Sequence, residues 1–132
     1  MATKVLDSYA LMAFFEDEPG ADIVRGLILK AEEGGVNLLM SVVNLGEVWY
    51  SIARTNSPET ADQYIQEISG MAIEIVDANW QLTRQAAEFK AKGRISYADC
   101  FAAALAKNRK AELVTGDKEF KSVEGEIKIA WL

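Results

Sequence analysis

Apolar residues come in two kinds of run along this chain. Short runs of four or five are rich in Val, Ile and Leu: "TKVL" at 3–6, "NLLMS" at 37–41, "IEIV" at 73–76, "ELVT" at 112–115 and "IKIAW" at 127–131. Their length and composition predict β-strands. Between them lie longer stretches with helical periodicity. Leu45, Val48, Trp49 and Ile52 recur at i, i+3, i+4 and i+7 and predict a helix over 43–55. Ala98, Phe101, Ala102 and Leu105 do the same over 97–108. Further helices are predicted over 8–15, 20–33, 58–69 and 79–92. "EDEPG" ends the first of these, Gly34-Gly35 the second, and Ser57-Pro58 opens the third as cap and first residue.

Short apolar strands alternating with helices predict an α/β domain with a mostly parallel sheet of about five strands. No repeat, linker or low-complexity tract divides the sequence, so residues 1–132 are expected to form one domain. In such a sheet, sites form outside the carboxyl ends of the strands, where strand order reverses. The residues just after each strand therefore carry the functional question.

Composition removes several chemistries. The chain has no histidine, which excludes Ser-His-Asp triads and His/Cys zinc sites. Cys100 is the only cysteine, so no intramolecular disulfide forms. No apolar run approaches a membrane span, and the first twenty residues lack a signal-peptide layout, so a cytoplasmic protein is expected. There is no GxGxxG and no Walker A pattern to cradle a nucleotide. Net charge is −6, unfavourable for a nucleic-acid binder, yet the charge is uneven. Residues 84–132 are net basic, with clusters at Lys90, Lys92 and Arg94 and at Lys107, Arg109 and Lys110. If the fold gathers these on one rim, a polyanion has a docking surface.

Four carboxylates stand where a site is expected. Asp7 closes the first strand, and Glu47 lies one turn into the helix after the second. Asp99 is in the first turn of the helix before the fourth strand, and Asp117 follows that strand by two residues. Each has a plain explanation: Asp7 and Asp117 as helix caps, Ser96 and Asp99 as an S-x-x-D capping box, Glu47 as a solvated helix residue. Together they point further. Asp7 and Asp99 sit in apolar text, "VLDSYALMAFF" and "ISYADCFAAALA", where an ionised acid is costly. Four acids at one sheet edge also raise one another's pKa. A bound cation offsets that repulsion, and oxygen-only ligands without histidine select Mg²⁺ or Mn²⁺ over zinc. Asn44, Ser96 and Thr115 are placed to orient the acids, with Gly116 letting the chain turn sharply after Thr115. Clustered acids holding such an ion suit phosphoryl chemistry.

The segments "KVLDSYALMAFFEDEPG", "SVVNLGEVWYSIAR" and "ISYADCFAAALAKNRKAELVTGDKEF", in this order, resemble the PIN-domain ribonucleases, especially the VapC-type toxins of toxin–antitoxin pairs. The resemblance spans nearly the whole chain. It implies a three-layer α/β/α sandwich, a metal site of Asp7, Glu47, Asp99 and Asp117, and Thr115 as their polar companion. It also implies Mg²⁺- or Mn²⁺-dependent cleavage of an RNA substrate by water, leaving a 5′-phosphate and a 3′-hydroxyl. A homodimer and a cognate antitoxin protein covering the active groove are implied as partners. Phe14, Phe15, Trp49 and Tyr50, on the early helices, are either part of the core or an aromatic surplus that forms such an interface.

Three other readings stand beside this one. A phosphoacceptor receiver domain needs paired acids after the first strand, where Asp7 stands alone. A haloacid-dehalogenase-type phosphatase needs D-x-D, where the chain has Asp7-Ser8-Tyr9. A PIN-like protein that binds metal or RNA without cleaving shares every motif above.

Overall fold

The computed structural model describes all 132 residues. In chain order the elements are β1 Thr3–Leu6, α1 Ser8–Phe15, α2 Ala21–Glu32, β2 Asn37–Ser41, α3 Val42–Thr55, α4 Pro58–Ser69 and β3 Ile73–Val76. Then come α5 Trp80–Lys92, α6 Tyr97–Arg109, β4 Glu112–Thr115, a 3₁₀ turn Lys118–Val123 and β5 Ile129–Trp131. The five strands form one sheet in the order β3-β2-β1-β4-β5, and every pair is parallel.

The apolar strand text follows from burial on both faces. Val5, Leu39 and Leu113 join the core beneath α5 and α6, with Phe89, Phe101, Leu105 and Phe120. Their neighbours Leu6, Leu38, Met40 and Val114 point the other way, into a second core with Leu11, Val24, Val48 and Ile68 from α1 to α4. The result is helices, sheet and helices in three layers, as expected.

Most helix ends are where their punctuation puts them. Ser57 caps α4, its hydroxyl accepting the Thr60 N–H at 3.1 Å, with Pro58 first in the helix. Gly34 takes a left-handed φ of 80° and returns its N–H to the Ala31 carbonyl, closing α2. The last strand differs from expectation by starting at residue 129 rather than 127. The Glu126 and Ile127 N–H groups both bond back to the Val123 carbonyl, which holds that stretch in a turn, and Ile127 packs into the core.

β1 lies at the centre of the sheet. Its successor β2 is on one side and β4 on the other, so strand order reverses between β1 and β4. In a parallel sheet all carboxyl ends share one edge, and the crevice at this reversal opens there. Leu6 pairs with Val114, so Asp7 and Thr115 leave their strands side by side.

Candidate active site

Asp7 is 1% exposed at the mouth of that crevice. Its Oδ1 accepts the Ala10 N–H at 2.9 Å, which makes it the N-cap of α1. Its Oδ2 accepts the Thr115 hydroxyl at 2.5 Å. Thr115, fully buried, also accepts the Asp117 N–H at 3.0 Å. One hydroxyl thus links the ends of β1 and β4 and fixes the start of the turn that carries Asp117.

Gly116 is a glycine for a different reason than expected. Its φ is not left-handed, and the turn itself places no demand on it. A Cβ there would lie 2.4 Å from Tyr9 Cε1 and 2.8 Å from its Cζ. The Tyr9 ring occupies the space a side chain needs.

Asp99 is buried in the first turn of α6, whose cap Ser96 accepts the Asp99 N–H at 3.1 Å. Glu47 is half-buried on α3. Its Oε1 accepts from the Ser8 hydroxyl at 2.8 Å and from the Asn44 amide at 3.1 Å. The same amide nitrogen reaches the Ala98 carbonyl at 3.1 Å and ties α3 to α6. Asn44 Oδ1 is the one buried side-chain polar atom with no partner. Asp117 caps the 3₁₀ turn by accepting the Glu119 N–H at 3.0 Å.

These acids feel one another. Burial pushes Asp7 up to about 7, reinforced by the charges of Asp99 and Asp117 and only partly opposed by Thr115 and the Ala10 N–H. Burial likewise pushes Asp99 up to about 7, reinforced by Asp117, Glu47 and Glu119 and opposed by Ser96. Asp7, Glu47, Asp99 and Asp117 therefore lie close enough at this edge for their charges to interact. Carboxylate oxygens of Asp99, Asp117 and Glu119 lie within 4.8 Å of one another. The donors are all oxygens, one of the three on a buried acid that resists ionising alone, and Asp7 and Glu47 stand outside this group. That set fits a hard divalent cation.

A family comparison decides what this arrangement belongs to. The model of the family described as PIN domain matches residues 4–126. The chain belongs to the PIN-domain family. No curated protein matches it. Solved structures agree on the PIN fold. A chain of VapBC2 from Rickettsia felis bound to a DNA fragment from their promoter superposes with a TM-score of 0.76 at 19% identity, covering 97% of each chain. DNA-bound VapBC from Salmonella typhimurium gives 0.76 at 18%, covering 98% of each. Mycobacterium tuberculosis VapC20, a sarcin-ricin loop cleaving toxin, gives 0.70 at 15%, covering 91% of this chain and 94% of that one. Family membership displaces the receiver and dehalogenase readings.

Two residues of this PIN domain's acidic edge escaped sequence reasoning. Ser8 carries no local signal, because its partner Glu47 lies 39 residues away in the chain. Glu119 stands in "GDKE", and its signal was the 3₁₀ turn, which brings it back beside Asp117. The two basic clusters meet at Lys92 and Lys107, on the α5/α6 face. Lys92 and Lys107 converge on Glu126 at 3.6 and 3.2 Å, and Lys90 turns in to the Ile95 carbonyl at 2.9 Å. α6 runs from Asp99 away to the opposite sheet edge, which puts Arg109 and Lys110 about 15 Å from the acids at 1.5 Å rise per residue. Arg94 remains near, in a groove of about 390 Å³ that it shares with Gly93, Ile95, Glu119 and Ser122. Of the early aromatics, Phe14 and Phe15 are half-buried against the core, and Phe15 stacks on Tyr64 at 4.5 Å. Trp49 and Tyr50 are exposed. No helix is long and apolar enough to cross a membrane.

Proposed function

We propose that this PIN domain is a Mg²⁺- or Mn²⁺-dependent endoribonuclease, the toxin of a toxin–antitoxin pair acting in the cytoplasm. The observation that carries the reading is the convergence of carboxylates from four separate elements on the β1/β4 crevice, with two buried acids pushed up to about 7. Asp7, Glu47, Asp99 and Asp117 are the proposed metal ligands, and Glu119 lies close enough to Asp117 to share the ion. When bound, such an ion neutralises phosphate oxygens and acidifies a water.

The chain's own residues supply positioning. Thr115 holds Asp7 Oδ2, and the Ala10 N–H holds Oδ1, so this carboxylate is fixed at both oxygens. Ser8 and Asn44 aim Glu47, and Ser96 anchors the turn bearing Asp99. The reaction is hydrolysis: water adds to phosphorus, the bond to the 3′-oxygen breaks, and the products are a 5′-phosphate and a 3′-hydroxyl. The structures named VapBC support an antitoxin as partner. Tyr50, one turn on from Glu47 with its hydroxyl 3.4 Å from that carboxylate, and its neighbour Trp49 are the exposed aromatic surface proposed for it or for a second copy of the chain.

The test is a divalent-metal titration coupled to cleavage of an RNA pool by the parent and by Glu47→Gln. Cleavage that saturates with Mg²⁺ or Mn²⁺ and vanishes in the variant is expected. Metal binding with no cut in any RNA would leave a non-cleaving PIN domain. Expression with and without the adjacent small reading frame tests the toxin role, with growth arrest expected only without it.

A further inference from the structure

A nuclease with this surface has an affinity problem. The net charge is −6 and the site itself is acidic. Lys92 and Lys107 are engaged by Glu126, and Arg109 and Lys110 lie at the far sheet edge. Arg94 and Lys118 stand beside Asp117 and Glu119, Lys90 turns in to the Ile95 carbonyl, and Arg54 lies over the Tyr50 ring whose hydroxyl reaches Glu47, so the cations near the acids are few and scattered. Phosphate contacts alone give a strand little hold here.

The rim offers another kind of surface. Tyr9 is the second residue of α1, two positions after Asp7, and the residue is 40% exposed. The outer end of the ring rests on the Gly116 backbone, between Thr115 and Asp117. Any side chain at 116 would drive it off that seat. A large ring is thus held half in solvent, directly beside two of the acids, by a residue that has no side chain. On the α6 side, Tyr97 is 45% exposed two positions before Asp99 and stands edge-on to Phe101 at 5.2 Å. Aromatic faces bind bases whatever their identity, and only unpaired bases present a free face.

We propose that Tyr9, seated on Gly116, is a stacking platform that holds an unpaired base next to the cleaved phosphate. The inference rests on the proposed ribonuclease activity and specifies its substrate: a single strand or loop, gripped by its bases more than by its backbone charge. Tyr9 is then a specificity-determining residue and takes no part in bond breaking.

The experiment first locates a cut in a pool of unpaired RNA, then places single abasic nucleotides at each position around it. With the parent protein, one abasic position should raise KM about 5- to 150-fold, the range that base–aromatic stacking spans, with little change in kcat. Tyr9→Leu should raise KM on intact RNA by a similar factor and lose the response to the abasic position. Tyr9→Phe should keep both. Circular dichroism and thermal melting establish that each variant is folded, and the abasic series on the parent needs no variant. If the parent cuts RNA but shows no sensitive position, or if Tyr9→Leu keeps the parent's KM and sensitivity, the inference is overturned and the ribonuclease reading survives. A parent that cuts no RNA under any metal overturns both.

Discussion

Replacing Asp7 by Asn separates the chemistry of this residue from its structural role. The side chains have nearly the same shape, and Asn caps helices as well as Asp does. Oδ1 can still accept the Ala10 N–H. What changes is charge. Asp7 ionises at about 7 in the folded chain against an ordinary value of 3.8. Below 3.8 both folded and unfolded chains hold the proton, and Asp7 costs nothing. As pH rises toward 7 the unfolded chain releases its proton freely while the folded chain cannot. Stability falls through that window by about 1.4 kcal/mol per pH unit for each such group, reaching about 4 kcal/mol above pH 7. Asp99, also raised to about 7, adds a parallel loss. In Asp7→Asn the Thr115 hydroxyl loses its acceptor, at about 1 kcal/mol. The metal-free variant should therefore be slightly less stable than the parent at pH 4 and about 3 kcal/mol more stable at pH 8. That gap is about 10 °C in Tm. Its slope of stability against pH between 4 and 7 should be about half the parent's, since Asp99 is the other acid pushed up to about 7 and it remains. Urea unfolding in EDTA from pH 4 to 8.5 measures both quantities. Equal slopes, or a variant less stable at pH 8, would refute the argument that burial holds this acid near neutrality. Added Mg²⁺ should then stabilise the parent and not the variant, reversing their order.

Gly116→Ala should cost only about 1 kcal/mol, the low end for overpacking, because the half-exposed Tyr9 ring can swing away. Its KM should nevertheless rise as in Tyr9→Leu, and the two substitutions should not add in the double variant. Glu119→Gln should weaken Mg²⁺ binding about 10-fold while slightly stabilising the metal-free protein, because it removes one charge that raises Asp99. Isothermal titration calorimetry with Mg²⁺ checks this, and unchanged affinity would exclude Glu119 from the site. A strand gripped by its bases, with its phosphates meeting only Arg94 and Lys118, should give a slope of log KM against log salt of about 1.4, at about 0.7 per phosphate contact on a single strand. A slope of about 4 would mean that a basic path runs elsewhere on the surface.

The legible and illegible parts of the molecule divide by the range of the forces involved. The bounds of β1 to β4 followed directly from apolar runs, because strands buried on both faces leave no polar alternation to misread. The helix ends followed from Ser57-Pro58 and Gly34-Gly35, where one residue's backbone chemistry decides. β5 was misplaced by two residues because Glu126 and Ile127 bond back to Val123, a turn that apolarity at 127 disguised. The convergence of Asp7, Glu47, Asp99 and Asp117 could be reasoned from strand order because a parallel sheet has one carboxyl edge. Side-chain company could not. That Ser8 serves Glu47, 39 residues away, and that Gly116 makes room for Tyr9 depend on packing that no local pattern encodes. Whether the basic clusters face the acids was illegible for the same reason: Lys107 and Lys110 are close to Asp99 in sequence, and a helix then carries them away from it.

Asp7 and Asp117 do cap helices, so the plain explanation of them is true and still insufficient. The molecule contains its own comparison. Ser41, Ser57, Asn79 and Ser96 cap α3, α4, α5 and α6, and all four are neutral. Acidic side chains cap only α1 and the 3₁₀ turn, the two elements that directly follow β1 and β4 at the crevice. A helix dipole favours an acid at its start by about 0.3–1 kcal/mol, well short of the roughly 4 kcal/mol that burial charges against Asp7. Serine or asparagine at position 7 would cap α1 without that penalty, as they do elsewhere in the chain. A fold that uses neutral caps wherever capping is the only task, and keeps buried charge at one sheet edge against its own stability, has retained that charge for a ligand.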